Sequence, residues 1–272
     1  MDLLRLSPSR ASDFKACPQL YKFRAVDRIP EPEDPYSALG SLVHATLERL
    51  LALPSPEART LEKASELIQL AWEEVRDAQL SLIPAINALD EEELIAHGKR
   101  LLENYFLIED PASIKAHELE WWVEHEAEKV MLRGIVDRVE TLPDGEWVLS
   151  DYKTGSSPSE RATFGSFFGL RFYALVCWRA FGKMPKELRL INLKKPEVIR
   201  LVPTPQMLEG LERQLEAIGA AIRRAFATGD WRPRPGPLCN WCSHRAICPA
   251  WADLEDHASV SEAVPLAATA GS

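Results

Sequence analysis

The 272-residue sequence has no apolar run approaching the roughly 18 residues of a membrane span. Its opening, Met1-Asp2-Leu3-Leu4-Arg5, lacks the basic flank and apolar core of a secretory leader, so a cytoplasmic setting with no membrane partner is expected. Cysteine is scarce. In a reducing compartment the five cysteines are better read as metal ligands or packing residues than as disulfides. A phosphate-binding loop of the form G-x-x-x-x-G-K-S/T is missing, which excludes a self-contained ATP-driven motor, and no internal repeat is visible. The length leaves room for one catalytic core and one insertion.

Positive charge is also short overall, with 32 Lys plus Arg against 41 Asp plus Glu and a net charge of −9. The deficit is local. Residues 1–150 carry 16 basic and 29 acidic side chains, whereas residues 151–250 carry 16 and 8. A polyanion needs a local excess of cations, so Lys183 to Arg200 and Arg223, Arg224, Arg232, Arg234 and Arg245 are the candidate phosphate contacts. A merely solvated basic face explains the same segment equally well.

Hydrophobic spacing predicts a helix over Ser7–Phe23, with Cys17 inside it, and a second over Gly40–Leu51. Residues 60–107 read as an acidic helical stretch broken near Pro84, so a helical insertion is expected at about 55–112. The period then changes to that of strands over Glu118–Val123, Val130–Asp137 and Trp147–Lys153, with a turn at Pro143-Asp144-Gly145, which makes a β-meander. Phe167–Phe181 is again helical, Leu188–Leu193 and Val198–Val202 read as strands, and Thr204 opens a long helix that ends near Gly229. The tail beyond about Asp256 has the composition of a disordered segment.

Alternation along the third strand puts Asp151 and Lys153 on one face, and a hairpin through Asp144-Gly145 brings Asp137 towards Asp151. Two adjacent carboxylates call for a cation between them, and hard oxygen donors suit Mg²⁺ or Mn²⁺. With a lysine beside it, such a site fits metal-assisted phosphodiester hydrolysis. His44 and Glu48, one helical turn apart, could add an imidazole ligand and a supporting carboxylate. The plainer alternative is a surface pairing of Asp137 with Arg133 or Arg138 and an ordinary Asp151–Lys153 ion pair. Cys239-Asn-Trp-Cys242 and Cys248 have chelating spacing, with Cys17 as a fourth thiolate, and suit zinc or an iron–sulfur cube. Cys177 reads as a core residue. Trp231 and Trp241 are candidates for base stacking or for local packing.

The ordered set Leu6-Ser-Pro-Ser-Arg10 with Cys17-Pro18, Gly40-Ser-Leu-Val-His44 with Glu48, Gly134-Ile-Val-Asp137-Arg138, Asp151-Tyr-Lys153-Thr-Gly155 and the final Cys-x2-Cys-x5-Cys resembles the PD-(D/E)xK nuclease superfamily. The likeness is to its RecB-like and AddB-like exonuclease branch with a C-terminal iron–sulfur cluster, and it runs from about residue 6 to 249. It implies an α/β restriction-endonuclease-like core, a central mixed sheet flanked by helices, as one domain over 1–250. It further implies that His44, Asp137, Asp151 and the carbonyl of Tyr152 bind the divalent cation. Lys153 and Tyr173 would join Asp137 and Asp151 as catalytic groups, Glu48 would support the ligands, and Cys17, Cys239, Cys242 and Cys248 would hold a [4Fe–4S] cluster, with zinc as the alternative. The implied substrate is single-stranded or end-containing DNA in recombination or repair, with a helicase on a partner chain. The family places a Gln four residues before Tyr173, and here Gly169 stands there. That departure keeps open a catalytically inert DNA-binding module. Ser12-Asp-Phe-Lys15 and Lys153-Thr-Gly155 also mimic two boxes of penicillin-recognising serine enzymes, but the third box is absent.

Overall fold

A computed structural model describes residues 3–31, 35–80, 90–155 and 163–251. The break expected near Pro84 and the disordered tail expected beyond Asp256 lie outside the described residues. The chain divides into two compact units, one of residues 1–9 and 32–220 and the other of 10–31 and 221–272.

A six-stranded mixed sheet organises the first unit. Its centre is the expected meander of β2 (Ala116–Ala127), β3 (Val130–Thr141) and β4 (Trp147–Lys153). Both pairings are antiparallel, with Trp122 opposite Ile135 and Arg138 opposite Ser150. β4 then runs parallel to β5 (Glu187–Asn192), and β6 (Glu197–Leu201) closes the edge antiparallel. A further short strand, β1 (Leu4–Leu6), lies parallel to β3 with Leu6 opposite Leu132. Because β2 covers one edge of β3, β1 and β4 must share the other, at opposite ends. Residues 133–137 of β3 therefore pair with neither, and the sheet forks there.

Helix α3 (Pro35–Leu51) buries Leu39, Leu42, Val43, Leu47 and Leu50 at helical spacing. Helices α4 (Leu61–Leu80) and α5 (Glu91–Ile108) lie within the acidic stretch and add Ile68, Trp72, Leu102 and Tyr105 to the same core, which extends to Tyr152 and Ile191 of the sheet. These helices are thus part of the support beneath the sheet. After a short turn of helix, α6 (Thr163–Ser166), helix α7 (Phe168–Phe181) packs across β2 to β5 and buries Cys177, as the sequence suggested. The last helix, α8 (Pro205–Thr228), opens where the hydroxyl of Thr204 accepts the Met207 N–H at 3.2 Å.

Two expectations need correction. The helix expected over Ser7–Phe23 is two, α1 (Pro8–Ala16) and α2 (Pro18–Tyr21), followed by a π turn over Lys22–Val26. Cys17 sits extended at the joint with φ −159°, because a proline disfavours the helical conformation in the residue before it. The basic segment 183–200 is largely neutralised: Lys186 pairs with Asp144, Arg189 with Glu187 and Glu140, Lys195 with Glu197, and Arg200 with Glu187.

Candidate functional site

The fork in the sheet collects the charged groups that the sequence singled out. Asp137 lies just before the point where β3 and β4 begin to pair, and its Oδ2 accepts the Tyr152 N–H at 2.9 Å. Helix α3 brings His44 over the same spot. Its Nε2 stands 3.1 Å from the Tyr152 carbonyl, and its Nδ1 stands 3.5 Å from Asp137 Oδ2 and 3.8 Å from Glu120 Oε1. On the neighbouring strand segment Lys153 Nζ pairs with Asp151 Oδ2 at 2.5 Å, as the plainer alternative has it, whereas Arg138 pairs with Glu109 and Glu140 and not with Asp137.

Glu120 is the residue that sequence reasoning missed. Donor atoms of His44, Glu120 and Asp137 all lie within 4.8 Å of one another, and this is the only such triad of His, Cys, Asp or Glu among the described residues. Glu120 adopts φ +43°, in the left-handed region that a side chain with a Cβ rarely occupies. Local strain of this kind persists only where the surroundings enforce it. Asp151 is not in the triad, although its charge is felt by both Asp137 and His44.

Clustered carboxylates dominate the electrostatics of the site. Burial and then the nearby Asp151 push the Asp137 carboxyl up to about 7. Burial alone would lower the His44 pKa, but the nearby carboxylates of Glu120, Asp137 and Asp151 raise it to about 9. Burial likewise opposes the charge on Lys153, and Asp151 outweighs it, so the lysine stays cationic. Glu48, one turn beyond His44, is shifted upward by partial burial and by Glu120. An imidazole, two carboxylates and a backbone carbonyl so placed match the donor chemistry of a hard divalent cation. Tyr173 reaches the site from α7. Burial, followed by Asp151, Asp137 and Glu120, raises its pKa. Its ring fills the space above Gly134, where a Cβ would fall 2.5 Å from Cε1.

The family model of the PD-(D/E)XK nuclease superfamily matches residues 5–249. The chain belongs to that superfamily. Among curated proteins it is similar to the gene 69 protein of Mycobacterium phage D29, 25% identical over 272 residues that cover 90% of this chain and 96% of the relative. Among solved structures it resembles a provisionally named exonuclease from Eubacterium rectale, with a TM-score of 0.59 at 11% identity over 96% of this chain and 94% of that one. That likeness is one of fold, and it agrees with the restriction-endonuclease-like core.

A buried polar network holds the nuclease site from behind. Arg138 is fully buried and binds Glu109 at the end of α5 through both terminal nitrogens at 2.8 Å. Its Nη1 also donates to the Tyr152 hydroxyl at 2.8 Å, and its Nη2 to Ser150 Oγ at 3.3 Å. The guanidinium thus anchors the side chain of the residue whose main chain meets Asp137 and His44.

In the second unit, Cys17, Cys239, Cys242 and Cys248 line one cavity of about 290 Å³ together with Leu20, Phe23 and Trp251. The Arg234 N–H points at Cys17 Sγ at 3.3 Å, and Gly236 N–H at Cys239 Sγ at 3.4 Å. Burial first, and then the charges of the other three, raise the Cys248 thiol pKa. Nearby, Glu31 bridges Arg24 and the buried His244. Trp231 is buried, stacked on Tyr21 at 6.0 Å and edge-on to Phe226 at 4.9 Å, so it packs locally and offers no stacking face for a base; Trp241 is exposed. No helix among the described residues is long and apolar enough to cross a membrane.

Proposed function

We propose that this nuclease is a Mg²⁺- or Mn²⁺-dependent deoxyribonuclease of the RecB-like and AddB-like branch, acting as an exonuclease on single-stranded or end-containing DNA in cytoplasmic recombination or repair. The observation that carries the reading is the convergence of His44, Glu120, Asp137 and the Tyr152 carbonyl, with the Asp151–Lys153 pair alongside. These residues, with Asp151, would hold the cation, and Glu48 would support them. The cation, when bound, supplies Lewis-acid polarisation of a phosphoryl oxygen.

The protein's own groups account for the rest. Asp137, anchored by the Tyr152 N–H, is fixed in orientation before any substrate arrives. Lys153 presents an ammonium, steered by Asp151, to the charge that builds on the phosphate during hydrolysis. Tyr173 closes the site on the α7 side. DNA fits the superfamily, and any unwinding would be supplied by a helicase partner.

The four thiolates would carry a [4Fe–4S] cluster. The four thiols line one cavity, and such a set suits an iron–sulfur cube, with tetrahedral zinc as the alternative. Anaerobically purified protein should be brown with a broad absorption near ~400 nm, and colourless protein with stoichiometric zinc would refute the cluster. For activity, labelled single-stranded DNA with Mn²⁺ should be degraded by the wild type and left intact by Lys153→Ala. Binding without cleavage by both proteins would identify an inert DNA-binding module instead.

A further inference from the structure

Two consecutive tryptophans on β2 have opposite surroundings. Trp121 meets Trp147 and Phe181 on the side covered by α7. Trp122 points the other way, is 50% exposed, and faces Ile135, itself 42% exposed, across the hairpin. Trp122 lies two residues from Glu120 and Ile135 two residues from Asp137, so the apolar pair adjoins the triad along both strands. Large apolar side chains left open as a pair beside a charged cleft are informative, because single-residue exposure is common and contiguous exposure is not. Arg133, across the strand pair from Glu124, stands over one face of the Trp122 ring, 5.5 Å from its centroid, and forms no ion pair among the described residues. The ring holds this cation, whereas those of segment 183–200 are held by carboxylates.

We propose that Trp122, backed by Ile135, is the platform on which a base of single-stranded DNA stacks while the adjoining phosphate lies at the His44–Glu120–Asp137 cluster. Arg133 contacts the next phosphate. The inference rests on the nuclease reading of that cluster. A single strand is specified because base faces in a duplex are already stacked on their neighbours, whereas an unpaired base can lie flat on an indole. The continuity of the ledge with the cluster, together with a guanidinium at its edge that no carboxylate pairs among the described residues, selects a nucleic acid over an apolar protein partner.

The test compares cleavage of a single-stranded oligonucleotide with that of the same strand carrying abasic sites, using the wild type, Trp122→Phe and Trp122→Ala. Loss of one stacked base predicts about a tenfold rise in KM for Trp122→Ala, with kcat little changed and near-normal behaviour of Trp122→Phe. The abasic strand should raise KM for the wild type by a similar factor and be indifferent to Trp122→Ala. An unchanged KM for Trp122→Ala, or equal penalties on intact and abasic strands, overturns the platform while leaving the nuclease reading intact. Binding measured by fluorescence anisotropy in Ca²⁺ separates the two claims. If no protein cleaves DNA but intact strands still bind more tightly than abasic ones through Trp122, the platform stands and the nuclease reading falls. Dissociation of a dimer by Trp122→Ala without any change in KM would overturn the platform and assign the ledge to a second copy of the chain.

Discussion

Gly134→Ala is the smallest change that reaches the site without touching a charged group. A Cβ at that position would meet Tyr173 Cε1 at 2.5 Å and its Cζ and hydroxyl at 3.3 Å, against an ordinary carbon contact of roughly 3.5–4.0 Å. An overlap of about 1 Å is not absorbed by a small shift of the ring alone, because α7 is packed on the sheet. Either the ring swings out or β3 moves, and overpacking of this kind costs about 1–3 kcal/mol. In a chain of this size that lowers Tm by roughly 3–10 °C, and DNA cleavage should fall with it because Tyr173 leaves the neighbourhood of Asp137 and Asp151. The control is Tyr173→Ala, which empties the space. Added to that background, Gly134→Ala should cost close to nothing, giving a coupling of about 1–3 kcal/mol in the double-mutant cycle. Thermal unfolding by circular dichroism measures all four proteins. Equal destabilisation in both backgrounds would show that the glycine is not there to accommodate the tyrosine.

Glu109→Gln removes the bidentate carboxylate of the buried Arg138 but leaves it Glu140 at 3.2 Å, so denaturant titration should show a loss of about 1–3 kcal/mol, and cleavage should drop as Tyr152 loosens. Gly169→Gln should fold normally, since a Cβ there meets nothing within 4 Å; the expected Tm is equal or slightly higher, and a large fall would mean that α7 is packed differently. Arg24 holds the Glu31 carboxyl down to about 2, against an ordinary value of 4.5. A depressed carboxyl stabilises the fold above its unfolded value and loses that contribution as pH falls through the folded one. The Tm gap between wild type and Glu31→Gln should therefore be fullest above pH about 5 and close towards pH 2. With Arg24 more than a third exposed, solvent screening limits the effect to about 1 kcal/mol, and a gap that widens on acidification would contradict the pairing.

The meander, α7 and α8 were legible because each has a clear period and a turn or cap at its end, as at Gly145 and Thr204. β1 was not, since three residues are too few to show alternation and its pairing is with a strand more than 120 residues away. The helix break at Cys17 was signalled by Pro18, and the apolar Leu20, Tyr21 and Phe23 beyond it masked that signal. At the site, His44, Asp137, Asp151 and Lys153 stood in recognisable motifs. Glu120 did not. It lies in Glu118-Leu-Glu120-Trp-Trp-Val-Glu124-His-Glu126, where regular acidic spacing reads as a solvated strand face. Its positive φ and its approach to His44 exist only once β2 is paired with β3 under α3. Arg138 read as a surface partner for its neighbour because burial by α5 comes from the acidic stretch, whose periodicity reports packing and no destination.

The central claim is that one hard cation is held where α3 meets the fork of the sheet. Titration of Mn²⁺ followed by electron paramagnetic resonance tests it most directly, on wild type, Glu120→Gln and Asp137→Asn. The account predicts a single site per chain in the wild type, weakened at least about tenfold by Glu120→Gln and abolished by Asp137→Asn, with the folded circular dichroism spectrum retained. Wild-type affinity for Mn²⁺ in both variants would contradict it.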